Sequence, residues 1–285
     1  MENDSRRLAI VTGASGGIGK DLGERLAEAG YAVALWDHDG AGAEARSQAL
    51  NDAGRRSIWA RCDVTSTADV ERATEEAVSQ FGPPCLLVNN AAIRHRMPLE
   101  DLPRENWDRE IAVNLTGAFQ CTQTVGRRML AAGGGVIVNM ASMSGTFGQP
   151  MRGAYSPSKA ALLGLTSMTA VEWGPRGIRC NAVSPGMIET PVHAQFYGND
   201  AVRSAREAMV PLGRLGTGSD VADVVVWLAS EAARYINGAN IPVDGGVTRA
   251  LVGLMPVMTE AGGVTTTLAQ LAGAAGQLPE PTETA

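Results

Sequence analysis

The chain is short of the residues from which metal sites and disulfide scaffolds are built. Its three histidines, at 38, 95 and 193, are spread through 285 residues without any ligand spacing, so no metal site is expected. The four cysteines, Cys62, Cys85, Cys121 and Cys180, contain no CxxC pair and read as reduced core thiols. Positive charge is also scarce. With 24 Lys and Arg against 30 Asp and Glu, the net charge of −6 offers no general attraction to nucleic acid or anionic lipid. No apolar run approaches the roughly 18 residues of a membrane-spanning helix, and the stretch 250–258 is interrupted by Gly253 and Pro256. Residues 1–7 mix two acids with two bases ahead of a short apolar run, so neither a secretory signal nor a membrane anchor is expected; the cytoplasm is the default location.

What the chain does contain is regular alternation. The apolar run 8–11 leads into a glycine cluster and then a helical pattern on Leu22, Leu26 and Ala29 that stops at Gly30. Residues 31–36 form a second buried strand ending on Asp37. The pattern repeats as a helix over 41–53, a strand over 57–61 and a helix over 67–80 with Ser66 or Thr67 as N-cap. It continues as a strand over 86–88, a long helix over 104–132, a strand over 136–138, a helix over 155–173 and a strand over 178–183. After an irregular stretch, 186–219, a helix over 220–230 and a strand over 241–243 complete it. Strands alternating with helices imply an α/β fold: one doubly wound parallel sheet with helices on both faces, in a single domain over 1–246. Residues 247–285 form a carboxyl-terminal extension. Its final eight or so residues read as a flexible tail, while 251–258 and 264–278 carry enough apolar residues to dock.

The segment Thr12-Gly13-Ala14-Ser15-Gly16-Gly17-Ile18-Gly19 sits at a strand-to-helix turn. Glycines there let the backbone approach a diphosphate, and the helix N-terminus offers amide donors. Alone this is a weak signal, since a tight turn also needs glycine. Its spacing is GxxxGxG rather than GxGxxG.

Several further segments occur in order: Asp63-Val64, Asn89-Asn90-Ala91-Ala92, Asn114, Ser142, Tyr155-Ser156-Pro157-Ser158-Lys159 and Pro185-Gly186. Together with the glycine turn they resemble the short-chain dehydrogenase/reductase family over about residues 8–246. The resemblance implies a seven-stranded Rossmann fold, a nicotinamide cofactor, and a tetrad of Asn114, Ser142, Tyr155 and Lys159. In it Tyr155 is the general acid/base, Ser142 bonds the substrate oxygen, Lys159 also bonds the nicotinamide ribose, and Asn114 holds a relay water. Ser144 is the competitor of Ser142, disfavoured by its spacing to the tyrosine. The resemblance further implies cofactor contacts from Gly13, Ser15, Gly16, Gly17, Ile18 and Gly19, from Asp63 and Val64 at the adenine, and from Asn90, Ala91 and Ala92 beside the ribose. Pro185, Gly186, Ile188 and Thr190 would meet the carboxamide. Ala92 departs from the family's NNAG, which leaves the local backbone to be tested.

Residue chemistry supports parts of this directly. Tyr155 and Lys159 lie at i and i+4 on one helix face, where an ammonium lowers a phenol pKa from its ordinary value of about 10. Asp37 ends the second strand 18 residues beyond Gly19, placed to accept from adenosine ribose hydroxyls. A 2′-phosphate there would be repelled by roughly 4 kcal/mol at about 4 Å and an effective dielectric near 20, which favours NAD. His38 beside it, when protonated, weakens that preference.

The expected activity is therefore NAD-dependent interconversion of a secondary alcohol and a ketone. Alternatives are a 3-oxoacyl thioester reductase using NADPH, a non-catalytic NAD-binding sensor or scaffold, and an isomerase or dehydratase on the same fold. The loop 187–218, with His193, Phe196 and Tyr197, is expected to set the substrate. Arg94-His95-Arg96 reads first as a solvated basic loop and second as a contact for an acidic substrate group. The 155–173 helix, apolar on most sides, suggests burial in a homo-oligomer, a tetramer or a dimer.

Overall fold

Leu8 and Ile10 face one side of the first strand and Ala9 and Val11 the other, and all four are inaccessible to solvent. This two-sided burial recurs through the sheet, as a strand covered by helices on both faces requires. The computed structural model describes residues 7–190 and 200–250, Gly253, and the backbone of 256–258 and 264–266. The strands are β1 (Leu8–Thr12), β2 (Ala32–Asp37), β3 (Ser57–Arg61), β4 (Pro84–Asn89), β5 (Gly135–Met140), β6 (Ile178–Pro185) and β7 (Asn240–Val243). They form one seven-stranded sheet, all parallel, in the order β3-β2-β1-β4-β5-β6-β7.

Helices α1 (Gly17–Glu28), α2 (Gly40–Asp52) and α3 (Thr67–Phe81) follow the first three strands. Ser66 caps α3 by accepting from the Asp69 amide at 3.2 Å, and Gly82, with φ of 84°, ends it. The region after β4 contains α4 (Arg104–Ile111) and α5 (Ala118–Ala131), followed later by α6 (Tyr155–Trp173), α7 (Asp200–Glu207) and α8 (Gly218–Ala229). Leu22 and Leu26 of α1 and Val221, Val225 and Leu228 of α8 pack on Ala9, Val33, Leu86 and Val138. On the opposite face, Val70 of α3 and Cys121, Val125 and Met129 of α5 pack on Ile10, Trp36, Leu87 and Ile137. A buried polar chain crosses the same face: Asn89 donates to Thr122 and Asn139, and Asn139 donates to Thr166. The four cysteines are free thiols. Burial pushes Cys62 and Cys180 up to about 12.

The structure departs from the sequence reading in three places. The expected continuous helix over 104–132 is interrupted by a π-helical segment, Ala112–Gly117. The stretch expected to be irregular contains α7. Beyond residue 246, where periodicity ends, β8 (Pro256–Met258) and β9 (Val264–Thr266) pair as an antiparallel hairpin. His193, Phe196 and Tyr197, the apolar stretch 267–278 and the terminal residues lie outside the described residues. Among the described residues no helix is long and apolar enough to cross a membrane.

Candidate active site

Because the strands are parallel, their carboxyl ends share one edge, and the strand order reverses between β1 and β4. Chain segments leaving these two strands diverge to opposite faces and open a crevice. The glycine turn fills one wall. Gly13 has φ of +66°, and a Cβ on it would lie 2.8 Å from the Ala91 Cα. A Cβ on Gly19 would lie 1.9 Å from the Gly13 carbonyl oxygen, so α1 reaches the turn only with glycine there. Gly16 is exposed and nothing lies near the position of its missing Cβ. The turn is thus packed on its inner side and open on its outer side, where the first amides of α1, at Gly17, Ile18 and Gly19, are available to an anion. Ile18 packs its side chain against the core, which fixes this helix start.

Thr12 and Asn90 tie the two strand ends together. The Thr12 hydroxyl accepts from the amides of Asn90 and Ala91, both at 3.0 Å, and the Asn90 side chain donates to the carbonyls of Thr12 and Gly13 at 3.0 and 2.9 Å. Ala92 is exposed and has no positive φ, so its methyl replaces a family glycine without backbone strain.

Asp37, at the end of β2, is buried and aimed at the turn. One carboxylate oxygen accepts from the Ser15 amide at 2.9 Å, the other from the Asp39 amide at 3.0 Å, with His38 Nδ1 at 2.9 Å. A carboxylate has about four lone-pair sites, so capacity remains for ribose hydroxyls. Asp63, after β3, is held by Thr65. Burial opposes its charge, but the Thr65 hydroxyl and amide and Arg109 outweigh that effect and keep the carboxyl below its ordinary range. Val64 is buried against Gly117, where a Cβ would approach its side chain to 2.6 Å.

Ser142 follows β5 and opens a 3-10 turn, Met143–Gly145, by accepting from the Ser144 amide at 3.1 Å. The Ser142 hydroxyl also acts on Tyr155, favouring the phenolate. The competing Ser144 hydroxyl is committed to Gln149 at 2.8 Å. Tyr155 and Lys159 project from the first turns of α6, with the Lys159 Nζ 5.6 Å from the ring centroid. Lys159 is only 2% exposed and donates to the Met140 carbonyl at 2.6 Å.

The expected lowering of the Tyr155 pKa by this lysine is not seen. Burial raises the phenol above its ordinary value, opposed by the Ser142 hydroxyl and by Arg94 and Arg152, while burial lowers Lys159 itself to about 7. Desolvation therefore dominates both groups.

Asn114 lies within the π-helical segment, a distortion that recurs at functional sites. Its amide donates to the Ile93 carbonyl at 2.9 Å and to the Ser158 hydroxyl at 3.1 Å, and its oxygen accepts from the Ile93 amide at 2.8 Å. Ser158 in turn donates to the Tyr155 carbonyl at 2.8 Å. Thr12 and Ser158 enter the sequence reading only as members of the quoted motifs, with no role of their own; the structure gives both one.

Pro185 ends β6 and Gly186 follows it, where a Cβ would lie 2.6 Å from that of Asp244. Ile188 forms a parallel bridge to Gly216, made by the Met187 carbonyl and the Glu189 amide. Backbone groups alternate in direction along an extended strand, so those of Ile188 face away from Gly216. Thr190 is buried. Every site residue expected from the sequence is thus placed along the carboxyl edge of the sheet or on the helices beside it.

Comparison with known proteins agrees with this geometry. A family model described as enoyl-(acyl carrier protein) reductase matches residues 13–248. The chain is 41% identical over 245 residues to a cis-4-hydroxycyclohexanecarboxylate dehydrogenase of Sinomonas cyclohexanicum, covering 86% of this chain and 97% of the relative. It is 39% identical over 246 residues to a D-threitol dehydrogenase of Mycolicibacterium smegmatis, covering 85% and 93%. A gluconate 5-dehydrogenase of Burkholderia cenocepacia, solved in complex with NADP and tartrate, superposes with a TM-score of 0.82 at 32% identity, covering 88% of this chain and all of that one. Glycine turn, sheet order and sequence relatives converge on one assignment: the chain belongs to the short-chain dehydrogenase/reductase family of oxidoreductases.

Proposed function

We propose that this chain is an NAD-dependent dehydrogenase that interconverts a secondary alcohol and a ketone. The observation that carries the reading is Tyr155 with the buried Lys159 Nζ 5.6 Å from its ring centroid and the Ser142 hydroxyl acting on the phenol, at the sheet edge that also carries the glycine turn. The residues fit a dinucleotide: an open glycine turn takes the diphosphate, Asp37 the adenosine ribose and Asp63 with Val64 the adenine. Asn90, Ala91, Ala92 and Lys159 take the second ribose, and Pro185, Gly186, Ile188 and Thr190 the carboxamide. When bound there, a nicotinamide would supply the hydride acceptor for oxidation and the hydride donor for reduction.

The chain's own contribution is proton transfer and orientation. Tyr155 takes the hydroxyl proton in oxidation and gives it back to the carbonyl oxygen in reduction. Ser142 donates to that same oxygen and holds it near the phenol. Lys159, lowered to about 7, exchanges its own proton near neutral pH at 5.6 Å from the phenol ring centroid, while Asn114 ties α6 to the loop at Ile93.

Asp37 supports NAD over NADP, since a 2′-phosphate would face a carboxylate. Phe119 on α5 and Met168 and Val171 on α6 stay exposed in one chain, which supports a homo-oligomer formed through these helices; sedimentation as a monomer at micromolar concentration would refute it. The activity is tested by following nicotinamide absorbance with either cofactor against panels of secondary alcohols and ketones, with Tyr155→Phe as control. Tyrosine-dependent turnover with NAD is expected. Cofactor binding without turnover would favour a sensor.

A further inference from the structure

A protein with net charge −6 gathers positive charge at its reacting tyrosine: Arg94 and Arg152 both act on Tyr155, and Arg96 and Arg206 act in turn on Arg152. Arg94 lies in the loop after β4, its guanidinium carbon 5.8 Å from the Tyr155 ring centroid. Arg152 stands three residues before Tyr155, and its carbonyl accepts the Tyr155 amide at 3.0 Å. Both are half-buried. Arg96, on the same loop as Arg94, and Arg206, on α7, add their charge to the field at Arg152.

This arrangement is built, although its loop has no regular secondary structure. On one side of Arg94, both backbone groups of Ile93 are held by the Asn114 side chain, at 2.8 and 2.9 Å. On the other side, Glu110 of α4, fully buried, accepts from the His95 amide and lies 3.0 Å from the His95 ring Nδ1. Arg94 is therefore carried between two anchored neighbours. Among the described residues no carboxylate lies within ion-pair distance of Arg152. Burial, together with repulsion from Arg94, Arg96 and Arg206, holds the Arg152 guanidinium below its ordinary value, the sign of a cation short of a counter-ion.

We propose that Arg94 and Arg152, reinforced by Arg96 and Arg206, form an anion subsite that receives a carboxylate borne by the alcohol substrate, so that this dehydrogenase acts on hydroxy acids. The proposal rests on the dehydrogenase reading and adds the substrate class. A half-buried pair of guanidiniums beside the reacting tyrosine pairs well with a planar carboxylate, through charge-assisted hydrogen bonds. It also orients the far end of the substrate, which fixes the carbinol carbon relative to Ser142 and Tyr155. Arg94-His95-Arg96 is then part of the site wall and not only a solvated loop.

The test separates binding from turnover. Three hydroxy acids of different skeleton, cis-4-hydroxycyclohexanecarboxylate among them, are compared with their neutral carboxamides. Affinity is measured by calorimetry on the Tyr155→Phe protein saturated with NAD, and kcat/KM on the unaltered enzyme. At least one acid is expected to exceed its amide by about tenfold or more, a ratio that shrinks as ionic strength rises. Arg152→Met and Arg94→Met should each cut the acid-to-amide ratio at least about tenfold, and Arg152→Lys should restore part of it. Arg176→Met, at the amino-terminal end of β6 and so across the sheet from the site, should leave the ratio unchanged. Ratios near one for all three acids, or ratios insensitive to both arginine variants in proteins of normal circular dichroism, overturn the subsite. Acid-selective binding without turnover would leave the subsite standing and sink the dehydrogenase reading instead.

Discussion

The Lys159 side chain ends 2.6 Å from the Met140 carbonyl oxygen, a buried bond between α6 and the end of β5, with no carboxylate within ion-pair distance among the described residues. This geometry has a thermodynamic consequence. Burial lowers the lysine from its ordinary 10.5 to about 7, so below pH 7 both folded and unfolded chains carry the proton and the folded state bears the full desolvation cost. Between 7 and 10.5 the folded state has released a proton that the unfolded chain still holds, and stability rises with pH through that window. Lys159→Met is therefore expected to stabilise the unliganded protein at pH 6 by about 3–5 kcal/mol, with the gain shrinking toward pH 10. Urea unfolding of both proteins across pH checks this; a gain that does not vary with pH would contradict it.

Tyr155→Phe removes the proton donor and keeps the ring. Turnover should fall by about 10²–10⁴-fold while the dissociation constant for the cofactor changes little. Single-turnover absorbance and calorimetric titration on the same preparation give both numbers.

Gly16 and Gly19 should separate cofactor binding from folding. A methyl on Gly16 meets no protein atom, and its φ of −159° suits any residue, so Gly16→Ala should leave the melting temperature unchanged yet weaken cofactor affinity by crowding the diphosphate. Gly19→Ala drives a carbon into the Gly13 carbonyl and should cost about 1–3 kcal/mol of stability as well as affinity. Thermal melts with and without cofactor distinguish the two.

Asp37→Asn removes the charge that would face a 2′-phosphate. The ratio of kcat/KM for NAD to that for NADP should drop about tenfold or more, chiefly through improved use of NADP. Initial rates with each cofactor measure it.

Much of this fold was legible because burial on two sides leaves a plain mark. Runs such as Leu86-Leu87-Val88 contribute to both helical layers, and Ser66 and Gly82 bracket α3 as capping chemistry requires. The π-helical segment was not legible, because Ala112 to Gly117 differ from an ordinary helix only in what Asn114 must reach: the backbone of Ile93 in a separate loop. Glu110 escaped for a related reason. A glutamate in a helix reads as surface, and only its spacing of four from Asn114 hints that both serve the same loop. The Tyr155 pKa ran opposite to expectation because a sequence shows which charges are near but not how much water has been removed.

The loop after β4 separates two tasks that a binding site usually mixes. Asn114 and Glu110 hold it by main-chain groups of Ile93 and His95, so the trace of the chain does not depend on the side chains at 94 and 96. Those two positions are therefore free to drift. Relatives that kept the asparagine and the glutamate would inherit a fixed mount on which new substrate preferences arise by single replacements, without the hydride-transfer machinery having to be rebuilt.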